Sequence, residues 1–435
     1  MFLTGWRSRT IRELFSSSLP GDWGTECDPE TGIPVLRSTN FRDDGAIDFN
    51  DIAFRSIGAA RLENRKIRQG TILIEKAGGS STRPAGRVVF CDRDFGGTAS
   101  NFVEIVQVAD SYVSAYVFYL LYWNFQTGRV YKYQQQTTGI INFKLREYGA
   151  EQVCVPEREC EQSKIAEILL IVDRSIEQTE ALIAKQQSIK SGLMQDLLTR
   201  GIDEHGNVRS EQTHKFKNSP LGRIPAEWEF RSLSQCVRVD APICYGILMP
   251  GQGVDNGVPV IKVKDIFSGR IFQDNLLLTD PRIDRQYRRS RLRSGDLLVT
   301  IRGTTGRVAM VPPELDGANI TQDTARVRLS DDYSSRFCFH CLQSQSAQSQ
   351  ISLHTIGQAV KGINISDVKR LLVVKPSLNE QEQIAARLEM VDKTVFQSSR
   401  EMIKLKLLKA ALMQDLLTGN RRVTTLLEQN EVVTA

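Results

Sequence analysis

Leu193-Met194-Gln195-Asp196-Leu197-Leu198-Thr199 recurs letter for letter as Leu412-Met413-Gln414-Asp415-Leu416-Leu417-Thr418. The offset is 219 in a chain of 435 residues, and identity over a whole heptapeptide at one fixed offset marks a duplication. The match extends upstream, where Glu161-Gln162 and Ile165-Ala166 precede Glu380-Gln381 and Ile384-Ala385 by the same 219 residues. In both copies apolar residues fall on a heptad seam. The first seam contains Ile165, Leu169, Val172, Ile176, Leu193 and Leu197; the second contains Ile384, Leu388, Val391, Val395, Leu412 and Leu416. Polar breaks recur too, Thr179 with Ser398 and Lys190 with Lys409. An amphipathic helix lying alone on a globular core would need only an apolar stripe. A matched pair with aligned polar breaks favours helix packed on helix, because polar seam residues fix register.

The pattern predicts two long helices, over 159–199 and 380–418. Pro156 and Pro376 precede them, and Asn379 with Glu382 reads as a capping box. Gly201 and Gly419 follow the last turns, where glycine readily takes the left-handed C-terminal conformation. About forty residues make a helical rod of roughly 60 Å.

The rest of the chain repeats in the same order. Gly32-Ile33-Pro34-Val35-Leu36-Arg37 matches Gly257-Val258-Pro259-Val260-Ile261-Lys262, and Gly70 to Ile74 matches Gly295 to Val299. Gly86-Arg87-Val88-Val89 matches Gly306-Arg307-Val308-Ala309, and Ile141-Asn142-Phe143 is echoed by Ile363-Asn364-Ile365. These short, turn-bounded apolar runs read as strands. Helices are expected over 111–125 and 336–350. The plan is a first unit at 1–157, a central helix at 158–200, a linker and second unit at 201–377, a distal helix at 378–419 and a tail at 420–435. The fold class expected is α+β: two similar mixed domains separated by two long helices packed as an antiparallel coiled coil, arranged as a pseudo-twofold tandem repeat.

Composition is that of a globular protein, with 41% hydrophobic and 25% charged residues. No apolar run is long enough for a transmembrane helix, and Met1 to Thr10 lacks the apolar run of a signal peptide, so a cytoplasmic location is expected. The one CxxC, Cys338-Phe339-His340-Cys341, has no second ligand pair at finger-like spacing. It aligns with Val117 and Leu120, so these cysteines read as core residues and no metal is expected. The net charge of +5 is uneven: residues 282–307 hold eight arginines against Asp284 and Asp296, a density that suits a polyanion. The small-residue loop Gly303-Thr304-Thr305-Gly306 could receive phosphate through its amides, or be only a tight turn between strands. P-loop, HExxH and base-methylating Asn/Asp-Pro-Pro-Tyr/Phe runs are all lacking, and the four histidines have no consistent acidic or cysteine companions.

Several stretches together resemble the specificity subunits of type I restriction-modification enzymes. They are Trp6, Gly222-Arg223-Ile224-Pro225-Ala226-Glu227-Trp228, the 295–308 run, Pro376 with Glu380-Gln381 and Ile384, and the Leu-Met-Gln-Asp-Leu-Leu-Thr helix ends. The resemblance covers residues 1–419, with the first helix start (Pro156 to Gln162) matching least well. It implies two target recognition domains, each reading half of a split, asymmetric site on double-stranded DNA. The seam-bearing helices would dock methyltransferase (modification) subunits, two of them, and two motor-nuclease (restriction) subunits would complete the assembly. The chain itself would be non-catalytic and hold no cofactor; S-adenosylmethionine, ATP and magnesium would serve the partners. DNA-contact candidates under this reading are Arg302, Thr304, Thr305 and Arg307 with Lys262, Lys264, Arg288, Arg289 and Lys361 in the second unit. Their first-unit counterparts are Lys76, Ser80, Ser81, Arg83 and Arg87. The alternatives are a coiled-coil protein scaffold, or a nuclease or methyltransferase with a degenerate motif.

Overall fold

The computed structural model describes residues 4–80, 83–137, 140–357, 361–424 and 426–427. Both long helices are present, Glu159–Thr199 and Leu378–Leu417. The compact units do not follow chain order. One comprises residues 1–180 with 400–435, and the other residues 181–399, so each contains the start of one long helix and the end of the other.

In the first unit an antiparallel sheet orders Phe15–Pro20, Val103–Val108, Ile72–Glu75 and Val88–Phe90. A three-stranded sheet sets Ile33–Leu36 antiparallel to Ala53–Arg55 and parallel to Thr98–Ala99. Trp6–Thr10 pairs with Gln152–Pro156, just before the first long helix. The aromatic helix Ser114–Gln126 buries Tyr116, Phe118, Tyr119 and Trp123 against Ile72, Val88 and Val106. The same core takes in Ile165 and Leu169 from the first long helix and Met413 and Leu416 from the second. At about 1.5–3 kcal/mol for each fully buried large apolar side chain, these helix residues are structural members of the domain.

The second unit repeats the plan. Its sheet orders Cys244–Tyr245, Thr324–Val327, Leu297–Thr300 and Val308–Met310. Val258–Ile261 lies antiparallel to Leu277–Thr279 and parallel to Asn319–Ile320. Glu229–Ser232 pairs with Leu372–Lys375. Leu197, Ile384 and Leu388 join its core with Trp228, Phe337, Cys338 and Cys341. The two thiols are fully enclosed, and desolvation pushes both well above the usual range. Among the described residues no group of three or more His, Cys, Asp or Glu side chains could hold a metal ion, and no helix is long and apolar enough to cross a membrane.

Within each unit the helix segments run antiparallel and are keyed by an ion pair. Asp173 meets Lys409 at 2.6 Å in the first, and Lys190 meets Asp392 at 2.5 Å in the second. The offset of 219 turns either pair into the other. Of the polar breaks read from the sequence, Lys190 and Lys409 each have an acid opposite, which lowers the cost of seating them in an apolar seam.

Three local expectations are corrected. The region 336–350 is two helices, Ser335–Gln343 and Gln345–His354, because the Ser344 hydroxyl caps the second by accepting from Ala347 N at 3.3 Å. The second long helix is capped by Ser377, whose hydroxyl accepts from Glu380 N at 3.3 Å, and not by an Asn379–Glu382 box. The backbone counterpart of Ile363, which donates to Ile301 O, is Phe143, which donates to Lys76 O; the echo with Ile141 is thus out by two residues.

Candidate nucleic-acid interface

At one end of the second unit, backbone hydrogen bonds tie several loops together. Ile301 and Arg302 donate to Asp323 O at 2.8 and 3.3 Å, Gln322 donates to Ile247 O at 2.9 Å, and Thr321 donates to Ile261 O at 3.2 Å. Gly303 N donates to Lys361 O at 2.9 Å. These bonds gather Arg302, Thr304, Thr305, Lys262 and Lys361, which lie far apart in sequence, at a common loop cluster. Inside the 303–306 loop, the Thr300 hydroxyl donates to Thr304 O and accepts from Arg307 N at 2.9 Å. The turn is therefore held by its own residues, and Arg302 and Thr304 are exposed.

The charges differ sharply between the units. Arg288, Arg289, Arg302, Lys264 and Lys361 are exposed and Lys262 is half-buried. Among the described residues no carboxylate lies within ion-pair distance of any of these six. Arg291, by contrast, is held by the buried Asp284, and Arg328 by Asp296 at 2.7 Å. In the first unit every candidate cation is paired: Lys76 with Glu104 at 3.0 Å, Arg83 with Asp43 at 3.0 Å, and Arg87 with Glu75 at 2.8 Å. Ser80 exchanges backbone bonds with Arg83 at 2.7 and 3.1 Å. Ser81 lies outside the described residues.

Arg87 must be removed from the DNA-contact candidates. It is 5% exposed, grips Glu75 with two nitrogens, and donates to Phe41 O at 2.9 Å and Ser38 O at 2.8 Å. Four of its five N–H groups donate inside the protein. Arg307 plays a similar part, donating to Ile266 O at 2.8 Å with no carboxylate in ion-pair range among the described residues, and remains half-buried. The arginine of the repeated Gly-Arg-Val run is thus a clamp on the loop that follows the strand beginning at 33 or 258.

The helix seam also needs correction as a partner-docking surface. Ile165, Leu169, Val172, Ile176, Leu197, Ile384, Leu388 and Leu416 are buried within the chain, and Leu193, Val391, Val395 and Leu412 are half-buried. The apolar side chains that the long helices expose are others, including Ile171 with its repeat mate Met390, and Ile189 with its mate Leu408.

Sequence reasoning missed a third repeated feature. In the first unit Glu161 accepts from Trp6 Nε1 at 3.3 Å and from Arg422 at 2.5 and 2.7 Å. In the second, Glu380 accepts from Trp228 Nε1 at 3.0 Å, Ile202 N at 2.9 Å and Arg209 at 2.5 Å. Gln162 and Gln381 likewise accept from Val113 N and Ser334 N, at 2.9 and 2.8 Å. The Glu-Gln pair at each helix start therefore fastens the helix to its domain. Its recurrence at the 219 offset was the available signal; the tryptophan and arginine partners were not readable from spacing.

These features define a duplicated protein of two like α+β domains, each completed by the ends of two long helices. Residues 255–406 match the family described as the type I restriction modification DNA specificity domain. The chain is 30% identical to the EcoBI specificity subunit of Escherichia coli over 239 residues, which is 53% of this chain and 49% of that one, so it spans about half the length of that relative. To the putative MjaX specificity subunit of Methanocaldococcus jannaschii it is 24% identical over 428 residues, 97% of this chain and 94% of that one. Its fold is that of the type I restriction-modification S subunit from M. genitalium, with a TM-score of 0.59 at 14% identity over 94% of this chain and 96% of that one. The chain is thus similar along its length to specificity subunits of type I restriction-modification systems, and residues 255–406 match their DNA specificity domain.

Proposed function

We propose that this chain is the DNA-recognition subunit of a type I restriction-modification complex. Each unit reads one half of a bipartite, asymmetric duplex site, and adenine methylation and ATP-driven cleavage belong to partner subunits. The observation that carries this reading is the set of acid-free cations at one loop cluster of the second unit, within the residues that match the specificity domain. Lysines and arginines without internal partners supply the phosphate attraction that dominates affinity for DNA. The paired cations of the first unit supply less of it, so the second unit is the stronger electrostatic anchor.

The chain is non-catalytic in this reading and acts in the cytoplasm; S-adenosylmethionine, ATP and magnesium are used by two modification and two restriction subunits. The helix surfaces offered to the modification subunits are the exposed Ile171, Ile189, Met390 and Leu408, apolar groups that gain from being covered. Mapping methylated adenines in cells carrying this chain and its partners tests the assignment. Exchange of residues 226–376 for the same region of another specificity subunit is expected to change one half-site only. A change in both halves, or none, overturns it.

A further inference from the structure

The loop after Cys244–Tyr245 begins at Gly246, where a Cβ would stand 1.9 Å from Ile320 O, so the backbone passes there without a side chain. The loop is then pinned along its length. Ile247 is buried and donates to Ile320 O at 2.7 Å, the Thr279 hydroxyl donates to Pro250 O at 2.8 Å, and Val254 N donates to Leu278 O at 2.9 Å. Between the first two anchors Leu248 and Met249 are 49% and 76% exposed. Packing inside the chain gives no reason for two large aliphatic side chains on a fixed loop to face water.

Their surroundings are cationic. The Cys244 thiol donates to Arg289 O at 3.5 Å, tying one end of the loop to a segment that exposes Arg282, Arg285, Arg288 and Arg289, none with a carboxylate in ion-pair range among the described residues. Gln322, bonded to Ile247 O, adjoins Asp323, whose carbonyl holds Arg302. The first unit has the corresponding loop, starting at Gly21, where a Cβ would stand 2.0 Å from Ala99 O. Its apolar residue, Trp23, is covered by the Arg55 guanidinium 4.2 Å from the ring centre. The second unit leaves its apolar tip bare.

We propose that Leu248 and Met249 form the apolar base-reading contact of the second unit and take the 5-methyl group of thymine in the major groove. The inference rests on the DNA-recognition reading above. Charge complementarity makes the occupant a duplex, and the thymine methyl is the apolar group that base edges present in that groove.

The test uses the chain assembled with its modification subunits and a random duplex library, comparing wild type with Leu248→Ser/Met249→Ser. Because both side chains are exposed, the variant should melt as wild type does. It should lose preference at one or two thymine positions of a single half-site and keep every other letter. Deoxyuridine at those positions should weaken wild-type binding about three- to fivefold per methyl lost and leave the variant indifferent. A variant with unaltered letter preferences, a second half-site without thymine, or uracil bound as well as thymine overturns the proposal. If the wild-type complex itself selects no sequence, the DNA-recognition reading falls; if it does and the variant matches it, only this proposal falls.

Discussion

Replacing Glu380 by alanine should cost more stability than replacing its repeat mate Glu161, for a reason visible in the two networks. Glu380 accepts from Trp228, Ile202 N and Arg209, and the Arg209 side chain is 8% exposed. Without the carboxylate, an indole N–H and a backbone amide lose this acceptor, and the buried guanidinium is left with Glu227, which it reaches at 2.6 Å but which is 62% exposed. Breaking a buried ion pair from one side costs about 3–5 kcal/mol. Glu161 accepts from Trp6 and Arg422, and the Arg422 side chain is 27% exposed, so it can turn to water once freed. That loss should be about 2 kcal/mol, the range of a charged hydrogen bond. Glu380→Gln keeps an acceptor for Trp228 without the charge and should fall between. Urea unfolding followed by tryptophan fluorescence, with equal slopes required, measures all three. The reasoning fails if Glu380→Ala costs no more than Glu161→Ala, or if both cost less than about 1 kcal/mol.

Burial pushes the His340 imidazole down to about 4, against the pull of Asp392 and Glu389 and with the help of Lys190 and Arg336. The unfolded chain binds that proton near pH 6.5, so stability should be full above about 6.5 and decline as pH falls toward 4, by up to about 3 kcal/mol. His340→Phe should flatten that part of the profile, and an unchanged slope in urea titrations at stepped pH would refute the assignment. Arg302→Ala should weaken all duplexes alike and reduce the salt slope by about 1 if it meets phosphate, or relax one base position at about 1–3 kcal/mol if it reads a base; no change in binding isotherms sinks the loop assignment. Four residues inserted near Gln186 add about 6 Å of helix, and with DNA rising about 3.4 Å per base pair the unread gap should lengthen by one or two base pairs with both half-sites intact. Methylated-site mapping that finds the gap unchanged in a fully active variant means the helices do not set it.

The sequence announced the long helices because a heptad seam repeated at one offset is a local, periodic signal. Even the helix ion pairs were within reach: Asp173, Lys190, Asp392 and Lys409 are pairwise related by 219, so an antiparallel pairing that works once works twice. Arg87 shows the opposite case. Its place beside a glycine-rich loop suited a phosphate contact, yet Glu75, which neutralises it, sits across a loop whose closure no pattern specified. The same holds for Trp228 and Glu380, separated by 152 residues and joined only by packing. Exposure was equally hidden. In the run Ile247-Leu248-Met249 no periodicity marks which side chain turns inward, and it is Ile247 that does.

Because the first unit is closed by residues from 400 onward, its core waits for that stretch, far along the chain from its own strands, to leave the ribosome. Residues 181–399 are all available earlier, and domains generally fold as units during synthesis. The two units are therefore completed out of order, the first after the second. Until then Ile165, Leu169 and the aromatic helix lack the cover of Met413 and Leu416. A message truncated near codon 400 would release a chain whose second unit is whole and whose first unit, although fully translated through its own strands, stays open, sticky and exposed to proteases.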